Sequence, residues 1–219
     1  SGIPPFTLTR WEQYKVLYYE LGLEKRIREA YAKQNIFYVA AMPTNNAVML
    51  SKFPVHKAAD LKGKKFRATG LYAEVLNEAG ASATYFPWGE IYGALEKGTI
   101  DGVIAGPLSS QADSGFHEPT KYLLETPITP VDAWSLHVNM DAWKALPDDL
   151  KHLLIESASY AADLFTGSYF VHDVQWRKKI VAEHGFTITT LPEEEQRKMN
   201  QYSIAVLDKY SKKDPAFAE

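Results

Sequence analysis

The sequence predicts an α/β protein, and two stretches carry the prediction. Between residues 65 and 105, short apolar segments alternate with helical ones in the order strand, helix, strand, helix, strand, the pattern of a parallel sheet flanked by helices. Further on, residues 148–184 keep a helical pattern with no proline and only Gly167 to weaken it. At about 1.5 Å per residue such a helix spans roughly 50 Å, long enough to bridge two bodies, whereas the mean globular helix has about 11–12 residues.

The elements follow in chain order. Thr9 with Glu12 reads as a capping box that opens a helix to Leu21, Gly22 interrupts it, and Glu24 to Lys33 continues as a charged helix. Ile36 to Ala41 is wholly apolar or aromatic and predicts a buried strand. Residues 42–46, Met-Pro-Thr-Asn-Asn, break it, and Ala47 to Leu50 resumes extended structure. Lys65 to Ala68, Ala83 to Phe86 and Gly102 to Ala105 are the strands of the alternation. Leu71 to Ala79 and Trp88 to Lys97 are its helices, closed by Gly80 and Gly98. After Gly106-Pro107, Leu108 to Ala112 predicts a short helix. Tyr122 to Glu125 and Trp134 to Val138 are extended, and the segment between them carries Pro127 and Pro130, which suit a stiff crossing. On the long helix, Leu150, Leu153, Leu154, Ser157, Tyr160, Ala161, Leu164 and Phe165 recur at steps of three and four and predict its inner face. Phe186 to Thr190 is a late strand, and Pro192 opens a last helix to about Lys209.

Composition narrows the functions. With 219 residues, 46% of them hydrophobic, the chain can bury a substantial core in one or two domains. A net charge of −3 with interspersed signs leaves no polybasic footprint for nucleic acid. No apolar run of about 18 residues predicts a membrane span. The absence of cysteine excludes disulfides, thiolate metal sites and cysteine nucleophiles. The six histidines show neither HExxH nor paired ligand spacing. His56, His117, His152, His172 and His184 have polar neighbours and read as solvated, while His137, between Leu136 and Val138, reads as a core histidine. There is no G-x-S-x-G motif, and Gly102 and Gly106 do not form a dinucleotide fingerprint.

Arg67 ends the strand that follows Asp60-Leu61-Lys62-Gly63-Lys64-Lys65-Phe66, with no acidic residue close after it. A guanidinium without a local partner can offer its planar fork to a ligand carboxylate. It can equally pair with a distant Asp or Glu, and structural ion pairs outnumber ligand sites.

The surrounding block weighs on that choice. Leu61-Lys62-Gly63 with Arg67, Tyr72 to Leu76 followed by Ala79-Gly80-Ala81, Tyr85 to Trp88, Glu90-Ile91-Tyr92-Gly93-Ala94-Leu95, and Gly98 with Asp101-Gly102 occur in one order. This order and spacing resemble the signature of the solute-binding proteins of TRAP (tripartite ATP-independent periplasmic) transporters, and a weaker likeness runs on to about residue 205. The resemblance implies a two-lobed, periplasmic-binding-protein-like α/β fold with a long inter-lobe spine helix. It implies capture of a small organic acid, with Arg67 making the main salt bridge to its carboxylate, delivery to the membrane subunits of a TRAP permease, and a periplasmic location. Neither a nucleic-acid partner nor direct insertion into a membrane is expected. Residues 1–43 would be the remainder of a first lobe and 44–130 a second lobe carrying Arg67. Residues 131–172 would return to the first lobe with the long helix, and 173–219 would end that helix and pack the last one on the second lobe. Ser1 to Phe6 resembles a stretch that follows several elements in the family, so about a third of a typical member is expected to precede it.

The resemblance also places further residues. Trp88 stands where the family sets an aromatic beside the ligand; filling the core at a helix start is an equal alternative. Glu90 and Tyr92 read as structural. A second arginine of sugar-acid binders is replaced by Asn45-Asn46-Ala47, and a frequent asparagine by Ala105. Both changes remove polar contacts and imply a smaller or less hydroxylated acid. Asn45 or Asn46 is a substitute donor, unless these amides only shape a turn. Asp132 and Trp134 fall at a crossing that borders the cleft in the family. Asp132 is placed to accept from a ligand hydroxyl or help hold a cation, but the chain lacks the Trp-Glu-Pro type segment of metal-holding members, so neither a metal nor a cofactor is expected. Trp134 reads more readily as core. Two alternative functions remain open: a ligand-sensing or interaction module on the same scaffold, and an enzyme acting on a carboxylate. The enzyme would need an acid/base pair beside Arg67, for which Asp132 is the candidate, and no catalytic residue is assigned.

Overall fold

The structure, a computed structural model, describes residues 5–8, 10–129 and 133–213. Its helices are α1 (Trp11–Lys15), α2 (Leu23–Ala32), α3 (Gly70–Glu78), α4 (Ile91–Glu96), α5 (Leu108–Asp113), α6 (Met140–Ala145), α7 (Asp148–Ala182) and α8 (Glu193–Lys213). Its strands are β1 (Ile36–Pro43), β2 (Ala47–Ser51), β3 (Lys65–Arg67), β4 (Ser82–Thr84), β5 (Gly102–Ile104), β6 (Tyr122–Thr129), β7 (Ala133–Asn139) and β8 (Thr187–Thr189). A π-helical turn, Val16–Glu20, continues α1, and 3-10 turns at Ala58–Leu61 and Trp88–Glu90 precede β3 and α4. Thr9, expected to cap α1, lies outside the described residues; within them the Arg10 N–H donates to Gln13 Oε1 at 3.1 Å.

The strands form two sheets. β1 pairs antiparallel with β7, and the other six are ordered β4-β3-β5-β2-β6-β8. The expected parallel sheet is mixed. β3 runs parallel to β4 and β5, and β6 parallel to β8, while β2 is antiparallel to both of its neighbours. One strand is therefore reversed and the other five share a direction. The reason is topological: β2 enters from the two-stranded sheet, across residues 44–46, at the end where the parallel strands finish.

Period-two alternation sorts the core of the six-stranded sheet onto two faces. Met49, Phe66, Ile104 and Leu124 point to one face, under Tyr72, Val75 and Leu76 of α3 and Met199 and Val206 of α8. Leu50, Val103 and Leu123 point to the other, under Ile91 and Leu95 of α4 and Ile180 near the end of α7. The same long helix packs Leu154, Ile155 and Ala158 against Val39 and Ala40 of β1. It runs unbroken through Gly167 over 35 residues and touches both sheets.

The expected inner face of α7 is corrected. Leu150, Leu153, Tyr160 and Leu164 are exposed, and the buried positions are Ala158, Ala162, Asp173 and Ile180. Small residues face β1 because they let the helix backbone approach the strand closely. The histidines are also reassigned. His117 is 6% exposed, beside the rings of His184 and Trp176, whereas His137 is exposed and lies against Tyr31.

Candidate functional site

Because β2 is reversed, its start shares one edge of the sheet with the ends of β3, β4, β5 and β6. In open α/β sheets this carboxyl edge is where ligands bind. Arg67 is the last residue of β3 and sits there, 8% exposed.

Its position is fixed by the motif before and after it. Gly63 (φ 74°) turns the chain into β3, and the Gly63 N–H donates to the Gly80 carbonyl at 2.8 Å. Asp101 pins the other end of the strand, accepting the Lys65 N–H on Oδ2 at 2.8 Å while its own N–H donates to the Lys65 carbonyl at 2.7 Å. Gly102 then pairs with Phe66, and a β-carbon there would stand 2.5 Å from Phe66 Cε1 and 2.9 Å from the Leu50 carbonyl oxygen. The Asp-Gly pair thus has a physical meaning: one residue locks the arginine strand and the next leaves room for the ring beneath it.

The guanidinium is held by neutral groups. Nε donates to the Phe86 carbonyl at 3.2 Å, Nη1 lies 3.5 Å from the Ile104 carbonyl, and the Tyr85 ring stands 5.7 Å from Cζ. Burial lowers the arginine's pKa from its ordinary value, with Tyr85 acting in the opposite sense. The ion pairs among the described residues all lie elsewhere. A buried cation is costly unless an anion or enough acceptors compensate it. Two carbonyls leave part of the fork free for a carboxylate.

Trp88, at the start of the 3-10 turn, is 43% exposed and not core filling. Its ring lies 5.2 Å from that of Phe116, and its Nε1 donates to Ser114 Oγ at 3.0 Å, so it is oriented while a face stays open. Ser114 Oγ donates to the Ser110 carbonyl at 2.9 Å, and Ser110 Oγ lies 3.4 Å from the Tyr169 hydroxyl. Trp134, 50% exposed, packs 5.7 Å from Phe165 and 6.4 Å from Tyr169. The two tryptophans are joined in this way through residues of α5 and α7. Ser110 and Tyr169 also line an open groove of about 830 Å³ with Asp113, Asp163, Leu164 and His172, which Arg67 does not line.

The remaining candidates divide. Asn45 directs Nδ2 to Asp173 at 2.8 Å, so its donor is engaged by the protein. Asn46 is partly exposed immediately before β2, on the same sheet edge as Arg67. Asp132 lies outside the described residues. Tyr92 donates to Glu118 at 2.8 Å, the structural role expected of it. Sequence reasoning missed Tyr85, Phe165 and Tyr169. Tyr85 was detectable as the aromatic immediately after β4 on the arginine side, but the α7 aromatics carry no local signal.

Residues 4–214 match the DctP family, described as bacterial extracellular solute-binding protein, family 7. A monocarboxylate 2-oxoacid-binding periplasmic protein of Nostoc sp. is 28% identical over 98% of this chain and 59% of its own length. A TRAP periplasmic solute-binding protein of Pseudoalteromonas atlantica, solved with sodium and pyruvate, superposes with a TM-score of 0.83 at 28% identity, over 98% of this chain and 66% of that one. Another, of Chromohalobacter salexigens with bound (S)-(+)-2-amino-1-propanol, gives a TM-score of 0.88 at 23% identity, over all of this chain and 68% of that one, a likeness of fold alone. The chain thus spans about three fifths of the length of the curated relative and about two thirds of those structures. From residue 4 to residue 214, this chain belongs to the DctP family of TRAP solute-binding proteins.

Proposed function

We propose that the protein captures a small organic acid through Arg67 and delivers it to the membrane subunits of a TRAP permease, acting in the periplasm. The observation that carries the proposal is a buried guanidinium at the carboxyl edge of the sheet, held among the described residues by carbonyls and an aromatic ring. An incoming carboxylate completes the coordination of a guanidinium that is itself largely shielded from solvent, where charge-assisted hydrogen bonds contribute about 1.5–3 kcal/mol each. Trp88 then covers the carbon skeleton, its ring held by Ser114. Asn46, just before β2 on the same sheet edge, is the polar contact. Asn45 is spent on Asp173, which supports a ligand with few hydroxyls. The pyruvate of one relative and the 2-oxoacid specificity named for another are in keeping with an acid of this kind.

The test is a thermal-shift screen of the full-length protein against mono- and dicarboxylates, including 2-oxo and aromatic acids. An acid at about 100 times its dissociation constant stabilises by about 2.7 kcal/mol, a shift of several degrees. Arg67→Ala is expected to weaken the binding of any acid found by at least about tenfold. An Arg67→Ala protein that binds as the parent does refutes the proposal.

A further inference from the structure

Thr84, the last residue of β4, pairs with Arg67 in the parallel ladder, and the next four residues are Tyr-Phe-Pro-Trp. Three of them serve in turn. Tyr85 sets its ring against the guanidinium, Phe86 gives its carbonyl to Nε, and Trp88 opens the 3-10 turn with its ring held by Ser114. Pro87, at φ −53°, stiffens the segment between the two rings.

Packing does not account for Tyr85. It is 65% exposed, and among the described residues its one ring contact is with the Arg67 guanidinium, 5.7 Å from Cζ to the ring centre. A ring so open adds little to the core, and it stands where a buried cation meets the carboxyl edge of the sheet. Trp88, three residues on, is open on the same side of the chain's arginine motif.

The bonds already made by the guanidinium decide how an acid meets it. Of its five N–H groups, Nε is taken by the Phe86 carbonyl, and one on Nη1 is directed to the Ile104 carbonyl. The free donors lie at the Nη end. A carboxylate held there by two parallel bonds lies in the plane of the guanidinium. A ring conjugated to that carboxylate continues the plane and offers Tyr85 a π-face, whereas a saturated carbon throws its substituents out of the plane.

We infer that Tyr85 is a specificity-determining residue and that the acid it selects is flat: an unsaturated ring conjugated to its carboxylate, lying against the Tyr85 ring. The inference rests on the reading of Arg67 as the partner of the carboxylate.

Titration of the full-length protein with benzoate and with cyclohexanecarboxylate, close in size, equal in charge and different in flatness, decides it. The parent should bind benzoate tighter by about threefold to tenfold. Tyr85→Ala should lose most of that preference, and Tyr85→Phe, which keeps the ring, should restore it. Tyr85 is exposed and outside the core, so both variants should fold as the parent does. A parent that binds the two acids equally, or binds neither, overturns the inference. So does a Tyr85→Ala protein that weakens both acids by one factor, since the ring would then only shield Arg67. A Tyr85→Phe protein that behaves as Tyr85→Ala overturns it too, by moving the role to the hydroxyl. Acids against their amides, benzoate with benzamide and pyruvate with pyruvamide, separate this from the reading beneath it. If Arg67→Ala keeps the parent's preference for acid over amide, the carboxylate reading falls. If that preference is lost while benzoate gains nothing from Tyr85, only the flat-acid inference falls.

Discussion

Gly102→Ala is the substitution whose outcome the structure constrains most tightly. The added methyl group would stand 2.5 Å from Phe66 Cε1 and 2.9 Å from the Leu50 carbonyl oxygen. The first neighbour is a ring that is itself 0% exposed, and the second is backbone in the middle of the sheet, so neither yields without moving others. Overpacking of this kind costs about 1–3 kcal/mol. With a urea dependence of about 2 kcal/mol per molar, the unfolding midpoint should fall by about 1 M with little change of slope. Phe66 immediately precedes Arg67 on the same three-residue strand, so the displacement also reaches the guanidinium and should weaken acid binding. Urea unfolding followed by circular dichroism measures the first effect and calorimetric titration the second. A midpoint that moves by less than about 0.2 M would refute the argument, because it would mean that the ring and the strand have room the geometry denies them.

Trp88→Ala should weaken acid binding by about tenfold, while Trp88→Phe, which keeps a ring but loses the bond to Ser114, should cost less; titration of both variants separates cover from orientation. Removing the carboxylate of Asp101 frees the Lys65 N–H and should destabilise the protein by about 1–2 kcal/mol in the same urea assay, so an unchanged Asp101→Ala would show that the strand does not depend on it. Burial, and then His184, hold the His117 imidazole below its ordinary value of 6.5. The unfolded chain takes up that proton first, so stability should fall as pH drops below about 6.5 toward the lowered folded value, with nothing contributed above it. Unfolding midpoints from pH 8 to about pH 5 should show a shallower acid loss in His117→Phe than in the parent; parallel curves would contradict the assignment.

What could be read from the sequence was what repeats locally. The segments around Phe66, Ala83 and Val103 announce themselves as strands because a short apolar run between glycine-ended helices has few other uses. The reversal of β2 was invisible, since Ala47 to Ser51 carries the same apolar run in either direction and its neighbours are set by distant chain. The face of α7 misled for a physical reason. A helix that serves two sheets does not have one apolar stripe, and close approach to β1 selects Ala158, with Leu154 and Ile155 beside it. His117 and His137 exchanged environments because immediate sequence neighbours say little about what folds over a side chain. Arg67 stood out only through the block around it, and the carbonyls of Phe86 and Ile104 that hold it come from the segment after β4 and from the end of β5, brought together by the fold. Asp173 gave no sign at all, because an acid in a helix is ordinarily a solvated one.

The two sheets differ in how their margins are protected. The six-stranded sheet ends at β4 and β8, each three residues long and framed by serine or threonine, which offer little template to another chain. The β1–β7 ribbon has the opposite character. Its strands run for eight and seven residues, and among the described residues each pairs only with the other. Side chains take part of the backbone of β1, since the Val39 carbonyl accepts from Arg28 at 3.2 Å and the Pro43 carbonyl from Thr166 at 2.6 Å, beside apolar side chains such as Phe37, Leu136 and Val138. The sheet that carries Arg67 is therefore the one whose margins resist strand addition.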